Sequence, residues 1–552
     1  MTVTDTQAPA PEITSGSEHA PALVAPRPAT GFAAVVGTSD HKSIGRLWIL
    51  TSLLFLLVAG VAGAVLGIER MDLSGFDVVE ADTVSQVLSL HAVAGTFLFL
   101  VPLLLGLGIY VVPLQVGSAT LAFPRAAAAA YWTYLISGVT VLAAFAADGG
   151  PGGTDLDAVD LFLAAMIALL LALTLAAVCV ATTGLALRTP GMGLHRTPLF
   201  TWANVVAAGL WVLTLPVLAG LLLLTYVDLR YGPAFLGGAG TEQVYLRLAW
   251  AWTQPSVYVY AIPVLGIIGD IVPVAVRTRL TLHRVAMACI GGFAAFSFGA
   301  WAMPGFSPEN TDTLPIAFDN TVTFVGFAFL VALPLLVFTG LVADTVRRGT
   351  IRLVSPLVWA GASLLMLLAG AANGALVSID PLDLLATTAN TAQVHYVLVA
   401  VLLGAFGGLA YWAPKLWGRG IPEGASTALA VAALAGTVLL SLPDLISGFL
   451  DQGGRLGGAP GTASTGDQSA IEALNIASAL GGGLLVLVAL AFVALVVRAA
   501  TGDPDAVDDP WDGHTLEWAT TSPPPPGNFT ELPPVTSEAP VYDARHAAEV
   551  AS

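Results

Sequence analysis

Charge is scarce in this sequence. Asp, Glu, Lys and Arg make up 10% of the 552 residues, against about 25% in a soluble globular domain, and the mean hydropathy is +0.82. That balance excludes an ordinary soluble domain. Positive charge is scarcer still: 20 Lys and Arg stand against 37 Asp and Glu, a formal net charge of −17. Nucleic-acid backbones are bound by clustered cations, so nucleic acid is excluded as a partner. Cysteine is nearly absent. Cys179 and Cys289 fall in separate apolar runs and in no C-x-x-C or C-x-x-C-H pattern. That leaves no disulfide framework and no covalent c-type haem attachment, and both read as small buried hydrophobes.

What the chain has instead is long apolar runs. Stretches of about 20 apolar residues recur along most of its length, the signature of transmembrane helices. Lipid cannot satisfy backbone polar groups, so such runs must be helical. The reading is an all-α polytopic membrane protein with twelve spans, near 46–68, 87–117, 127–147, 158–187, 199–226, 244–276, 282–303, 318–344, 352–377, 387–411, 422–447 and 475–500. Residues 1–40, rich in Pro, Ala, Ser and Thr and without an apolar core, are expected to be a disordered tail, not a signal peptide. Residues 41–500 hold the twelve-helix domain. Residues 501–552, with a proline run at Pro523–Pro526, look like a second tail of the same kind.

Loop charge sets the orientation. Lys42, Arg46, Arg125, Arg188, Arg196, Arg277, Arg279, Arg284, Arg347, Arg348, Arg352, Lys415, Arg419 and Arg498 fall on one side of the predicted membrane. The other side has Arg70, Arg230, Arg247 and Arg455 among many acids. The Lys/Arg excess marks the cytoplasmic side, so both tails are expected there, in a bacterial-type plasma membrane.

Only two histidines, His91 and His395, lie inside predicted spans beyond their first few residues. Both spans run from outside to inside, so both histidines fall in the outer half at similar depth. Ionisable groups in a membrane are costly and mark function by default. Two neutral imidazoles at matched depth suit the two axial positions of one haem iron. The alternative is a pair of separately hydrogen-bonded core histidines.

Several motifs then take on a common meaning. Asp40–His41–Lys42–Ser43–Ile44–Gly45 precedes the first span. Val112–Pro113–Leu114–Gln115–Val116–Gly117 and Phe123–Pro124–Arg125 follow the second. Gln254–Pro255–Ser256–Val257–Tyr258 resembles an H-P-E-V-Y motif, and Gln393–Val394–His395–Tyr396 an H-F-H-Y motif. Asp509–Pro510–Trp511 and Thr515–Leu516–Glu517–Trp518 lead into the proline run. Together, over about residues 38–530, these resemble cytochrome c oxidase subunit I, the catalytic subunit of the haem–copper oxidases of the aerobic respiratory chain. The resemblance implies twelve helices, a low-spin haem of the a type held by His91 and His395, and Arg70 at that haem's formyl group. It also implies partner subunits of the subunit II and III kind, with electrons supplied by a separate partner.

The same comparison shows what is missing. The family's three copper-ligating histidines match Gln254, Met303 and Pro304, and its high-spin haem ligand matches Gln393. Imidazole is a good nitrogen donor to copper and iron; an amide oxygen is a weak one, a lone thioether does not make a site, and proline offers no side-chain donor. Copper is therefore not expected. Tyr258 is retained, four residues after Gln254, but a histidine–tyrosine crosslink is impossible and it reads as a packed aromatic. The family's proton-route acids match Ser256 and Thr120, and its helix-eight lysine matches about Phe338. Its outer metal-binding His–Asp pair matches Leu385–Ala386, and the arginine pair near the haem propionates matches about Asp444–Leu445. Three functions stay in view: a one-haem electron-transfer or assembly paralogue, an active proton-pumping oxidase, and a cofactor-free structural subunit.

Overall fold

A computed structural model describes residues 31, 36–71, 78–79, 81–232, 235, 241, 244, 248, 251, 256–301, 320–454 and 467–551. The chain divides into two units, residues 1–38 and residues 39–552, and the helices below all belong to the second. The expected N-terminal tail falls almost wholly outside the described residues.

Among the described residues the apolar runs fold into twelve helices: α1 (His41–Glu69), α2 (Ala81–Gln115), α3 (Pro124–Ala146), α4 (Leu156–Ala186), α5 (Leu199–Tyr231), α6 (Ile262–Ala275), α7 (His283–Trp301), α8 (Asn320–Arg348), α9 (Ser355–Val377), α10 (Thr388–Trp417), α11 (Glu423–Gly448) and α12 (Gln468–Thr501). Among the described residues, eleven helical segments are long and apolar enough to cross a membrane; α7, with 19 residues, is the remaining helix of the bundle. The expected span at 244–276 opens as a 3₁₀ turn, Ser256–Ala261, before α6.

The helix starts follow from local chemistry. A free side-chain oxygen just before a helix satisfies N–H groups that have no intrahelical partner. Asp40 accepts from the Lys42 and Ser43 amides, Asp155 from Asp157 and Ala158, Thr387 from Ala389, and Asp467 from Ser469. Pro124 opens α3, where its missing N–H costs nothing. Gly418 ends α10 in the left-handed conformation, φ 69°, which glycine adopts without steric cost.

Each helix packs on the next in sequence, and α12 packs back on α1, so the bundle closes into a ring. The apolar stretches of α2 and α6 are wholly buried, and α10 touches α2, α6, α9, α11 and α12. Aromatic layers fill the interior: Trp48 stacks on Tyr134 with ring centroids 4.4 Å apart, and Phe406 on Phe492 at 4.1 Å. Inside α2 the residues Ala94–Leu100 form a π-helical stretch that starts three positions beyond His91. Such stretches are rare and frequently lie at functional sites.

The C-terminal segment corrects the sequence reading. Composition made residues 501–552 resemble the N-terminal tail, yet residues 502–551 are seated on the bundle. Leu516, Glu517 and Asn528 are fully buried. Lys42 Nζ donates to Asn528 Oδ1 at 3.1 Å, and Arg279 pairs with Asp543. Lys415 Nζ donates to the Asp508, Thr520 and Thr521 carbonyls at 2.9, 2.5 and 3.4 Å. The end it covers is the one whose loops carry the Lys and Arg excess. An acidic, proline-rich segment cannot build a core of its own, but it can be ordered by cations and carbonyl acceptors supplied by others.

Candidate haem site

A cavity of about 570 Å³ opens between α1, α2, α10, α11 and α12, and both intramembrane histidines line it. Its walls are mainly apolar. Polar groups gather at the end opposite the basic loops, where Arg70, Thr388, Gln452 and Asn475 reach it. The volume lies within the usual range for small-molecule sites, roughly 300–1,000 Å³.

The two imidazoles are held differently. His91 Nδ1 lies 2.8 Å from the Ala59 carbonyl of α1. A carbonyl only accepts, so the ring proton sits on Nδ1 and Nε2 keeps its lone pair. The ring lies against Gly63, where an added Cβ would meet Cε1 at 2.7 Å and Nδ1 at 2.9 Å. Gly63 therefore makes the space that the imidazole fills. His395, on α10, has its Nδ1 3.7 Å from Asp444 Oδ2. That nitrogen is buried with no hydrogen-bond partner among the described residues. Metal-bound histidines commonly turn their second nitrogen to a carbonyl or a carboxylate. His91 has the first kind of partner at bonding distance and His395 the second at a longer one.

Asp444 joins this site to Arg70. Arg70 Nη2 and Nη1 donate to the two Asp444 oxygens at 2.8 and 3.3 Å, and Nη2 also reaches Asn475 Oδ1 at 3.1 Å. Gln452 Nε2 donates to the same Asn475 oxygen at 3.1 Å. Both charges are largely shielded, with side-chain exposures of 15% for Arg70 and 1% for Asp444. The carboxylate thus sits where the resemblance places a cation, and it is neutralised from α1.

Asn475, Gln452 and Gly63 were not among the residues expected at the site, and Asp444 was named only as standing where the resemblance has the arginine pair near the haem propionates. A lone Asp near the outer end of an apolar run was a visible signal for Asp444. The others carried none, because only packing brings them to the cavity.

Of the positions expected to replace the family's oxygen-site ligands, Gln254, Met303 and Pro304 lie outside the described residues. Gln393 is fully buried in α10. Tyr258 is fully buried too; its hydroxyl donates to the Gly370 carbonyl at 3.1 Å and its ring meets Phe293 edge-on at 5.7 Å. That is the environment of a packed aromatic.

Two imidazoles make a poor cage for a bare ion. They suit an iron whose other ligands come from a macrocycle, and the apolar walls with a polar, cationic rim suit a flat apolar ring with charged edges. The residues present therefore fit a haem.

The family model for Cytochrome C and Quinol oxidase polypeptide I matches residues 43–484. The chain is 30% identical to the putative cytochrome c oxidase subunit 1-beta of Streptomyces avermitilis, over 93% of this chain and 92% of that one. To the protein of the same name in Streptomyces coelicolor it is 32% identical, over 92% and 90%. Among solved structures it is similar to a heme-copper terminal oxidase dimer determined by cryo-EM, with a TM-score of 0.68 and 16% identity over 93% of this chain and 90% of that one. The twelve-helix ring with a two-histidine cavity is thus the fold of haem–copper oxidase subunit I. The chain belongs to the cytochrome c and quinol oxidase polypeptide I family.

Proposed function

We propose that this chain binds one low-spin haem, of the a type, between His91 and His395 and passes electrons through it within a respiratory oxidase complex, without an oxygen-reducing copper site. The observation that carries the reading is the shared cavity: both imidazoles line it, and His91 has its Nδ1 engaged by the protein, leaving Nε2 as a donor. When bound, the haem supplies a one-electron redox couple. The chain's own residues orient the imidazoles, through Ala59 and Gly63 for His91 and through Asp444 for His395. Arg70 neutralises Asp444 and sets the charge at the rim.

The absence of oxygen chemistry rests on the side chains at Gln254, Met303, Pro304 and Gln393, which are weak ligands or none. The partners are other oxidase subunits, of the subunit II and III kind, and the location is the plasma membrane with both termini cytoplasmic.

Protein purified from haem-replete cells should show a bis-histidine low-spin optical spectrum, and His91→Ala should abolish it. A colourless wild-type preparation, or a spectrum unchanged in His91→Ala, overturns the reading. A pyridine haemochrome assay separates haem a from haem b.

The names of the relatives favour a second reading, an active cytochrome c oxidase subunit that pumps protons. It requires copper and a carbon monoxide-binding haem. Metal analysis and a carbon monoxide difference spectrum decide between the two.

A further inference from the structure

We propose that Asp270 and Glu517 form a proton-binding site that holds one proton between them and thereby fastens the C-terminal segment to the end of the bundle that carries the basic loops. The site lies apart from the haem cavity. Glu517 belongs to a single 3₁₀ turn, Leu516–Ala519, and its side chain is pushed among the ends of α2, α6 and α10 with no exposure to solvent. Its Oε1 accepts from Gln115 Nε2 at 3.0 Å and from Trp412 Nε1 at 3.2 Å. Its Oε2 is buried with no hydrogen-bond partner among the described residues.

Asp270, on α6, is served better. Its Oδ1 accepts from the Leu199 amide at 2.9 Å; its Oδ2 accepts from Phe200 N at 3.3 Å and from the same Gln115 Nε2 at 2.8 Å. The Thr201 hydroxyl donates to Gln115 Oε1 at 2.7 Å, which fixes the amide so that its NH₂ group faces both acids. Two carboxyl groups therefore share one donor in a buried setting.

The surrounding charge fixes the proton count. From α10, Tyr411 and Lys415 face the site: the Tyr411 hydroxyl is buried without a hydrogen-bond partner among the described residues, and Lys415 lies in the field of Glu517. From the C-terminal segment come Asp508 and Asp509, the latter paired with Arg545 at 2.8 Å. The sides provided by α2 and α5 are the neutral Gln115 and Thr201. Two ionised carboxylates against the single Lys415 ammonium would leave one buried negative charge in excess. One proton on the pair makes the site neutral, and like-charged carboxyl groups at close quarters do not both ionise near pH 7.

The proton belongs on Glu517. Three N–H donors favour the ionised form of Asp270, whereas one oxygen of Glu517 is buried with no hydrogen-bond partner among the described residues. Losing that proton would strand a carboxylate beside Asp270. The cheapest relief is to withdraw the Leu516–Ala519 turn into water, which undocks the segment.

The test uses the full chain in lipid nanodiscs. An infrared titration should show a protonated-carboxyl C=O band near neutral pH that shifts in D₂O, disappears on alkalinisation and is missing in E517Q. Hydrogen exchange of residues 508–528, read as protection relative to the unfolded rate, should weaken as pH rises from about 7 to 10. Between the ordinary pKa of an exposed glutamate, about 4.3, and the higher pKa of the docked site the loss should approach about tenfold per pH unit and level off above the latter, and E517Q should stay protected throughout. D270N is an independent arm: with the neighbouring charge gone, the Glu517 band should vanish at lower pH. A wild-type protein with no such band, or the same pH dependence of exchange in wild type and E517Q, overturns the proposal.

Discussion

Two buried carboxylate sites at opposite ends of this bundle solve one problem in different ways. At the end opposite the basic loops Asp444 is matched by a guanidinium: Arg70 grips it through both oxygens and Asn475 steadies the pair. At the basic-loop end Asp270 and Glu517 have, among the described residues, no guanidinium against them, and they share the NH₂ of Gln115. A cation bound covalently to the chain is permanent, so the first site has a fixed charge beside His395. A proton is exchangeable, so the second can answer to pH. Both follow from the same cost: an uncompensated charge in a low-dielectric interior is far more expensive than a paired or neutralised one.

The largest effect should come from breaking the fixed pair. Asp444→Ala leaves the Arg70 charge buried without its counter-charge, held only by Asn475, and should cost about 3–5 kcal/mol of stability, the usual penalty for removing one member of a buried ion pair. Thermal unfolding in detergent would show it as a lowered midpoint. Arg70→Met combined with Asp444→Leu should recover most of that loss. If the double variant is as unstable as the single, the pair is not what compensates the charge.

Lys415→Met comes next. It removes an ammonium that three carbonyls of the C-terminal segment accept from, and hydrogen bonds to charged groups are worth about 1.5–3 kcal/mol. Hydrogen exchange of residues 508–521 should rise accordingly. Removing this cation should also make Glu517 hold its proton to higher pH, which sharpens the contrast with the Asp444 site.

Gly63→Ala puts a methyl group into the His91 ring. Overpacking of this kind costs about 1–3 kcal/mol. The larger consequence is displacement of the imidazole, read as loss or broadening of the haem spectrum with the helical content unchanged.

The smallest effect is on the acid side of the C-terminal segment. His514 is buried, and burial together with Arg545 and Arg279 holds it down to about 3, from an ordinary value of 6.5. A base depressed in the folded state contributes stability that is present above its unfolded value and is lost as pH falls from about 6.5 towards 3. Glu517 acts in the opposite sense: raised by burial, it favours docking at low pH and loses that contribution as pH climbs through its folded pKa. Docking should therefore be best at intermediate pH. His514→Phe should flatten the acid limb of the exchange profile and leave the alkaline limb alone.

The bundle was legible from hydropathy alone, because a lipid-facing helix must be apolar for about 20 residues and nothing else in the chain has that pattern. His91 and His395 stood out for the same reason, as polar residues where polarity is costly. Arg70 was legible as a candidate for the site, but the bidentate pairing it makes was not. Asp444 is 374 residues away in sequence, and no local pattern joins them. The C-terminal segment was misjudged because its composition resembles a disordered tail. Its order comes from Lys42, Arg279 and Lys415, which lie in three other parts of the chain.

The sequence by itself determined the class of the molecule: an all-α bundle of membrane helices, acidic overall, with two histidines inside its apolar runs and its basic residues concentrated in alternate loops. Those features depend on the chemistry of single residues and of short runs, which water and lipid sort without reference to the rest of the fold. Only the tertiary structure decided which groups neutralise which. Pairing a buried charge requires a partner within a few ångströms, and in a bundle whose helices close into a ring that partner comes from whichever helix packs alongside.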